Sequence, residues 1–185
     1  MPSFPLSYSE TLAPLPSTLT LTHLLCITLQ IAILRTQGKL VDTISALNAY
    51  LTNFSSDENA WGELASVYIQ LGEIKQACFC YEELILISPL NSVYLMRYAE
   101  LLYTLGGLDN IRNARACYAQ AVENAGDSLR ALYGMVTCCT ALTPLLEKKK
   151  EESSDNAQLL QFAHKRLEKL GGVVKFAIAA YSTAN

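Results

Sequence analysis

The residues with which this chain could do chemistry are few. His23 and His164 lie in separate segments, and neither has a Ser, Cys or Asp at a spacing used for nucleophilic catalysis. Each reads as a surface or packing histidine, and two histidines alone exclude a multi-histidine metal centre. The six cysteines are Cys26, Cys78, Cys80, Cys117, Cys138 and Cys139. Cys78-x-Cys80 and the adjacent Cys138-Cys139 lack the C-x₂-C spacing with which two thiolates grip one zinc, and six thiols in 185 residues do not make a small disulfide scaffold. They read as free, buried thiols that pack as small apolar groups. Glu82, Glu83 and Glu100 are the carboxylates that could be paired for acid–base work, but neighbouring glutamates on a helix usually face solvent. Gly106-Gly107 lacks the Lys and Ser/Thr of a phosphate-gripping loop. The expectation is a chain with no catalytic residue, no cofactor site and no metal.

The elements that carry these residues are helices. Just over half of the chain (51%) is hydrophobic and 17% is charged, against about a quarter charged in ordinary globular chains. That excludes a disordered polyelectrolyte. A net charge of −3 gives no basic footprint for nucleic acid. Residues 1–22, with Pro2, Pro5, Pro14 and Pro16, show no helical or strand period and read as a loose tail. The run from Leu19 to Leu34 is strongly apolar, but it has no basic residue before it and is shorter than the roughly 20 residues a membrane span needs. It reads as a buried helix. Helical spacing then dominates, with helices expected at 24–36, 40–53, 58–71, 74–87, 92–105, 110–124, 128–142 and 157–181. EKKKEESSD at 147–155 reads as part of a charged linker, 143–156, before a C-terminal helix and tail at 157–185.

A 34-residue period organises the middle. Gly38, Gly72 and Gly106 stand 34 apart, with Leu34, Tyr68 and Leu102 in the same register. Such a period signals stacked helix–turn–helix units. The best unit, 58–91, reads Trp61-x₂-Leu64-Ala65-x₂-Tyr68, Gly72, Ala77-x₃-Tyr81-x₂-Leu84, Pro89, which is the tetratricopeptide pattern. Trp61, Leu64, Ala65 and Tyr68 share one helical face, the small Ala65 and Ala77 let the two helices approach, and Pro89 ends the second. The next unit, 92–128, keeps Leu95, Tyr98, Ala99, Ala114, Tyr118 and Ala121, with three extra residues expected to lengthen its turn around Gly106–Asn110. The fold expected is an all-α tetratricopeptide solenoid of antiparallel helix pairs, about three repeats across 23–142, with Trp61, Leu64, Tyr68, Ala77, Tyr81 and Leu84 buried together.

Particular stretches go beyond the generic repeat: IAILRTQGK (31–39), LNAYL (47–51), AWGELASVYI (60–69), ACFCYEEL (77–84), YAELLYTLGGLDN (98–110), ARACYAQA (114–121) and RALYG (130–134). On these, Ile31–Leu142 resembles the subunit 2 family of the ER membrane protein complex, and 157–181 resembles it more loosely. The resemblance implies a non-catalytic scaffold, peripheral on the cytoplasmic face of the endoplasmic reticulum membrane. Its partners would be the other subunits of an insertase that places tail-anchored and multipass proteins in the bilayer without nucleotide hydrolysis. The family has further repeats upstream and residues 1–22 look unrelated to it, which implies a chain shortened at its N-terminal end. Such a chain is expected to expose apolar residues of 24–36 and to self-associate.

Another function class stays open. A tetratricopeptide adaptor or cochaperone in the cytosol clamps a peptide carboxylate with Lys and Asn on the inner face of a first helix. Gly62 and Ser66 stand there in this chain, with Arg97 and Arg130 as the available cations. Tyr94, Tyr98 and Tyr103 either line such a groove or belong to the repeat core.

Overall fold

The computed structural model describes residues 28–126, 128–149 and 154–171. The tail at 1–22, His23, Cys26 and the segment beyond 171 lie outside these. Among the described residues there are eight helices and no strand: α1 (28–36), α2 (Leu40–Asn53), α3 (Glu58–Leu71), α4 (Ile74–Ile87), α5 (Ser92–Leu105), α6 (Leu108–Ala125), α7 (Leu129–Lys149) and α8 (Ser154–Leu170). The chain divides into two compact units, 1–50 and 51–185.

In the first unit, the described part of the apolar run is not the buried helix expected of it. Ile31 is buried, but Leu29 and Ile33 are 62% and 53% exposed, and Val41 is 71% exposed. One face of α2 is buried at Thr43, Leu47 and Tyr50, the i, i+4, i+7 stripe of an amphipathic helix.

In the second unit each helix packs on its sequence neighbours, α3 on α4 through α7 on α8, and α5 also meets α7. Local chemistry sets the ends. Asp57 caps α3 by accepting from the Asn59 and Ala60 amides at 2.9 and 3.3 Å, leaving fewer orphan donors in the first turn. Gly72 closes α3 in the left-handed region (φ 78°, ψ 8°), which a side chain disfavours. The small residues sit where helices touch: Ala65, Ala77, Ala99, Ala114 and Ala121 are all fully buried, together with Leu64, Leu84 and Tyr118.

Several boundaries differ from those expected. The three inserted residues do not lengthen the turn. Gly106 and Gly107 alone join α5 to α6, as Gly72 and Glu73 alone join α3 to α4, and α6 instead has 18 residues against 14 in α4. Positive φ at both glycines (68° and 86°) reverses the chain in two residues, and Asn110 Nδ2 donates to the Gly106 carbonyl at 2.8 Å. The insertion is thus absorbed as helix, the cheaper place for it when each added residue makes a backbone bond. α7 continues to Lys149 rather than ending at 142, and α8 starts at Ser154. Both helices run into the stretch expected to be linker, because Glu and Lys are good helix formers. Trp61, Tyr68 and Tyr81 are half-buried rather than buried, and Pro89 is exposed. Trp61 keeps its indole at the surface because Nε1 donates to the Ser55 carbonyl at 2.8 Å, while the ring meets exposed Phe79 edge-on at 6.1 Å.

Candidate partner interface

The first helices of successive pairs are tied side by side by polar bonds. Tyr94 on α5 donates its hydroxyl to Glu58 of α3 at 2.7 Å, and Ser88 donates to the same carboxylate at 2.5 Å. These two bonds hold the Glu58 carboxyl below the usual carboxylate range. Glu100 on α5 accepts from Arg130 of α7, with Nε at 2.8 Å, and from Arg97 at 3.2 Å. α3, α5 and α7 therefore present one continuous surface. Equivalent repeat positions along it are Ser66, Glu100 and Thr137, then Ile69, Tyr103 and Thr140. Ile69 and Tyr103 are exposed there (40% and 38%), as is Tyr133 on α7 (36%). A surface of scattered aromatic and aliphatic side chains around a compact charge cluster suits a protein partner.

Two of the three carboxylates weighed for catalysis are occupied by structure. Glu82 accepts from the Tyr98 hydroxyl at 2.6 Å, a tie between α4 and α5, and Glu100 holds the two arginines. Tyr94 and Tyr98 are thus half-buried braces, and of the three tyrosines only Tyr103 is open to a ligand. Arg97 and Arg130, the cations left for a carboxylate clamp, already share one glutamate. His164 is half-buried on α8. Cys78, Cys80, Cys138 and Cys139 are free and buried, and burial pushes their thiols up to about 11, 12, 12 and 11. A thiol so raised is a poor nucleophile. Among the described residues no group of three or more His, Cys, Asp and Glu could hold a metal.

The sequence pattern did not single out Glu58, Ser88 or Tyr133, and a helical period carries no signal for such cross-helix bonds. It also passed over α7 as an apolar helix. Within the described residues, Leu129–Leu146 is long and apolar enough to cross a membrane by length and composition. Its residues Ala131, Leu132, Met135, Cys138, Cys139, Leu142 and Leu146 are buried in the same cluster as residues of α6 and α8, as in a core helix.

Residues 22–109 match the family described as the EMC2 TPR-like repeat domain. That stretch belongs to this family. The match begins at residue 22, ahead of Ile31, and takes in most of the apolar run from Leu19 to Leu34. Subunit 2-B of the ER membrane protein complex from Xenopus laevis is 36% identical over 140 residues, covering 76% of this chain and 47% of that protein. Subunit 2 from Dictyostelium discoideum is 32% identical over 149 residues, covering 75% and 45%. The chain spans about half the length of the curated relatives it matches. Among solved structures, the crystal structure of MamA protein aligns with a TM-score of 0.56 at 14% identity, covering 77% of this chain and 72% of that one. That likeness concerns the fold alone. The EMC2-type repeats are all-α helix pairs of the tetratricopeptide kind, and Ile69, Glu100 and Tyr103 of their shared surface fall inside the matched stretch.

Proposed function

We propose that this chain is a non-catalytic scaffold subunit of the ER membrane protein complex. It braces the complex's other subunits from the cytoplasmic face of the endoplasmic reticulum membrane, held there by protein contacts and not by a span of its own. Through them it supports energy-independent insertion of tail-anchored and multipass membrane proteins. The observation that carries this reading is the 36% identity with a named subunit 2 across 76% of the chain. The site supports it too: Glu82 and Glu100, two of the three carboxylates weighed for catalysis, are engaged in bracing helices, and the exposed surface of α3, α5 and α7 offers binding groups without a reactive one. Arrays of this kind host many partners, so the fold by itself does not choose among them.

The test is complementation. The tagged chain is expressed in cells depleted of their own subunit 2, and the membrane subunits are sought in the purified material. Recovery of those subunits, with tail-anchored reporter insertion restored, supports both parts of the proposal. Recovery without insertion keeps the scaffold and removes the insertion role. Absence of the subunits from a stably expressed chain overturns the proposal.

A further inference from the structure

α8 carries more apolar surface than α7 covers. Its inner face, with Ala163 and Leu167, is buried in the cluster that holds the apolar residues of α7. On one flank, Phe162 and Leu170 are 43% and 39% exposed. Phe162, Arg166 and Leu170 follow one another at i, i+4 and i+8, which makes one stripe along a helix. The Arg166 guanidinium lies 5.3 Å from the centroid of the Phe162 ring, so the stripe is continuous between its two apolar ends. Among the described residues only α7 packs along α8.

The sequence that follows α8 has the composition and length to cover this flank. Gly171 and Gly172 come directly after the helix, and a Gly-Gly pair is what reverses the chain between α5 and α6. The stretch VVKFAIAAY (173–181) then has a single charged residue, Lys175. Val173, Ala177 and Tyr181 recur at i, i+4 and i+8, the same stripe spacing. A helix that returns antiparallel from 171–172 brings them level with Leu170, Arg166 and Phe162 in that order. The smallest side chain then stands beside the longest, and an aromatic ring beside an aromatic ring. Small residues between helices are the habit of this array, as Ala65, Ala77, Ala99 and Ala114 show. Residues 173–185 reach about 20 Å as helix, against about 25 Å for α8. The apolar stretch is well short of the roughly 20 residues of a membrane span, and too short to hold a helix without a surface to pack on.

We propose that residues 173–181 dock on the Phe162–Arg166–Leu170 flank of α8 as an antiparallel helix of the same chain. The occupant is tethered two residues from the surface, so it outcompetes a free partner of equal affinity. An end closed in this way recruits neither a second copy nor another protein at that flank.

The test follows amide hydrogen exchange in the full 185-residue chain, in Phe162→Ser/Leu170→Ser and in Ala177→Lys. In the parent, amides 174–181 should exchange at least tenfold more slowly than in urea, unchanged on tenfold dilution. Each variant should lose that protection while α3–α6 keep theirs. Unprotected 174–181 amides in the parent would overturn the proposal, and so would protection that survives Phe162→Ser/Leu170→Ser. Protection that falls on dilution would overturn it in favour of a second copy. If the α8 variant also loosens α3–α6, Ala177→Lys decides: it changes no residue of the described helices, and full protection in it would sink the proposal.

Discussion

Gly134, in the middle of α7, is the position at which a helix-favouring substitution should do harm. In an exposed helix, Gly→Ala gains about 0.5–1 kcal/mol, because alanine loses less backbone entropy on folding. At 134 a Cβ would lie 2.3, 2.4 and 2.8 Å from Cε1, Cζ and Cδ1 of Tyr118. Ordinary carbon–carbon contact is about 3.5–4.0 Å, so the ring must retreat by more than an ångström. It has little room to do so, being 5% exposed in the cluster that joins α5, α6 and α7. Overpacking of this kind costs about 1–3 kcal/mol, and the large overlap puts this case toward the upper end. Net of the propensity gain, Gly134→Ala should destabilise by about 2 kcal/mol, or about 4–8 °C in Tm for a chain of this size. Chemical denaturation followed by circular dichroism measures it. The double variant with Tyr118→Leu should recover at least half of the loss, since the two sites are in contact and couple. A Gly134→Ala protein as stable as its parent, or more so, would refute the reasoning.

The remaining expectations concern the aromatic edge, the thiols and the charge cluster. Trp61→Ala should cost about 2 kcal/mol, less than the 3–5 of a fully buried aromatic, because the ring is half-buried; the same denaturation assay checks it, and a loss above 4 would mean the indole is more enclosed than its 6.1 Å edge-on contact with Phe79 indicates. Cys78, Cys80, Cys138 and Cys139, with thiols raised to about 11–12 from 9.0, should react with iodoacetamide at pH 8 at least about 100-fold more slowly in the folded chain than in urea. The same shifts set a pH limit. Above pH 9 the unfolded chain releases thiol protons that the folded chain retains, so stability should be level below pH 9 and fall as pH rises toward 11–12, by up to about 1.4 kcal/mol per pH unit for each thiol. A urea midpoint unchanged between pH 8 and 10.5 would contradict it. Arg130→Ala breaks a half-exposed ion pair and should cost less than about 1 kcal/mol in stability, so any loss of partner recovery in the complementation experiment reports on the surface and not on folding.

Much of the fold is legible in the sequence because period and punctuation agree. The bounds of α2, α3, α4 and α5 follow from apolar spacing punctuated by Gly38, Gly72 and Gly106, while the caps at Asp57 and Asn91, whose side chains accept from first-turn amides of α3 and α5, were no part of that pattern. The pattern fails where two structures satisfy the same composition. Three extra residues near Gly106 can lengthen a turn or a helix, and only the two positive-φ glycines, which already complete the turn, decide for the helix. Trp61 looks like core by residue type, yet its one polar atom needs the Ser55 carbonyl and draws the ring to the surface. The partner surface is harder still. Glu58, Tyr94, Glu100 and Arg130 are ordinary helix-surface residues until neighbouring helices bring them together, and contacts 30 or more residues apart leave no local trace.

α7 shows how far composition alone can mislead about a helix. Its 18 residues from Leu129 to Leu146 pass for a membrane span, although only 39% of them are buried within the protein. The exposed side is neither lipid-like nor strongly charged: Arg130, Tyr133, Thr137 and Thr140 run along it. Thr137 and Thr140 donate their hydroxyls back to the Tyr133 and Thr137 carbonyls at 2.8 and 2.9 Å, so the stripe carries few unmet polar groups. A helix of this composition is tolerable in lipid or in water, and its own residues do not choose. The choice is made by what meets the other side. Gly134 admits the Tyr118 ring of α6, and Cys139 with Thr143 receives the buried amide of Asn156 from α8. Both contacts demand a particular neighbour at a particular height on α7, which lipid cannot supply, and they make α7 a core helix of the repeat array.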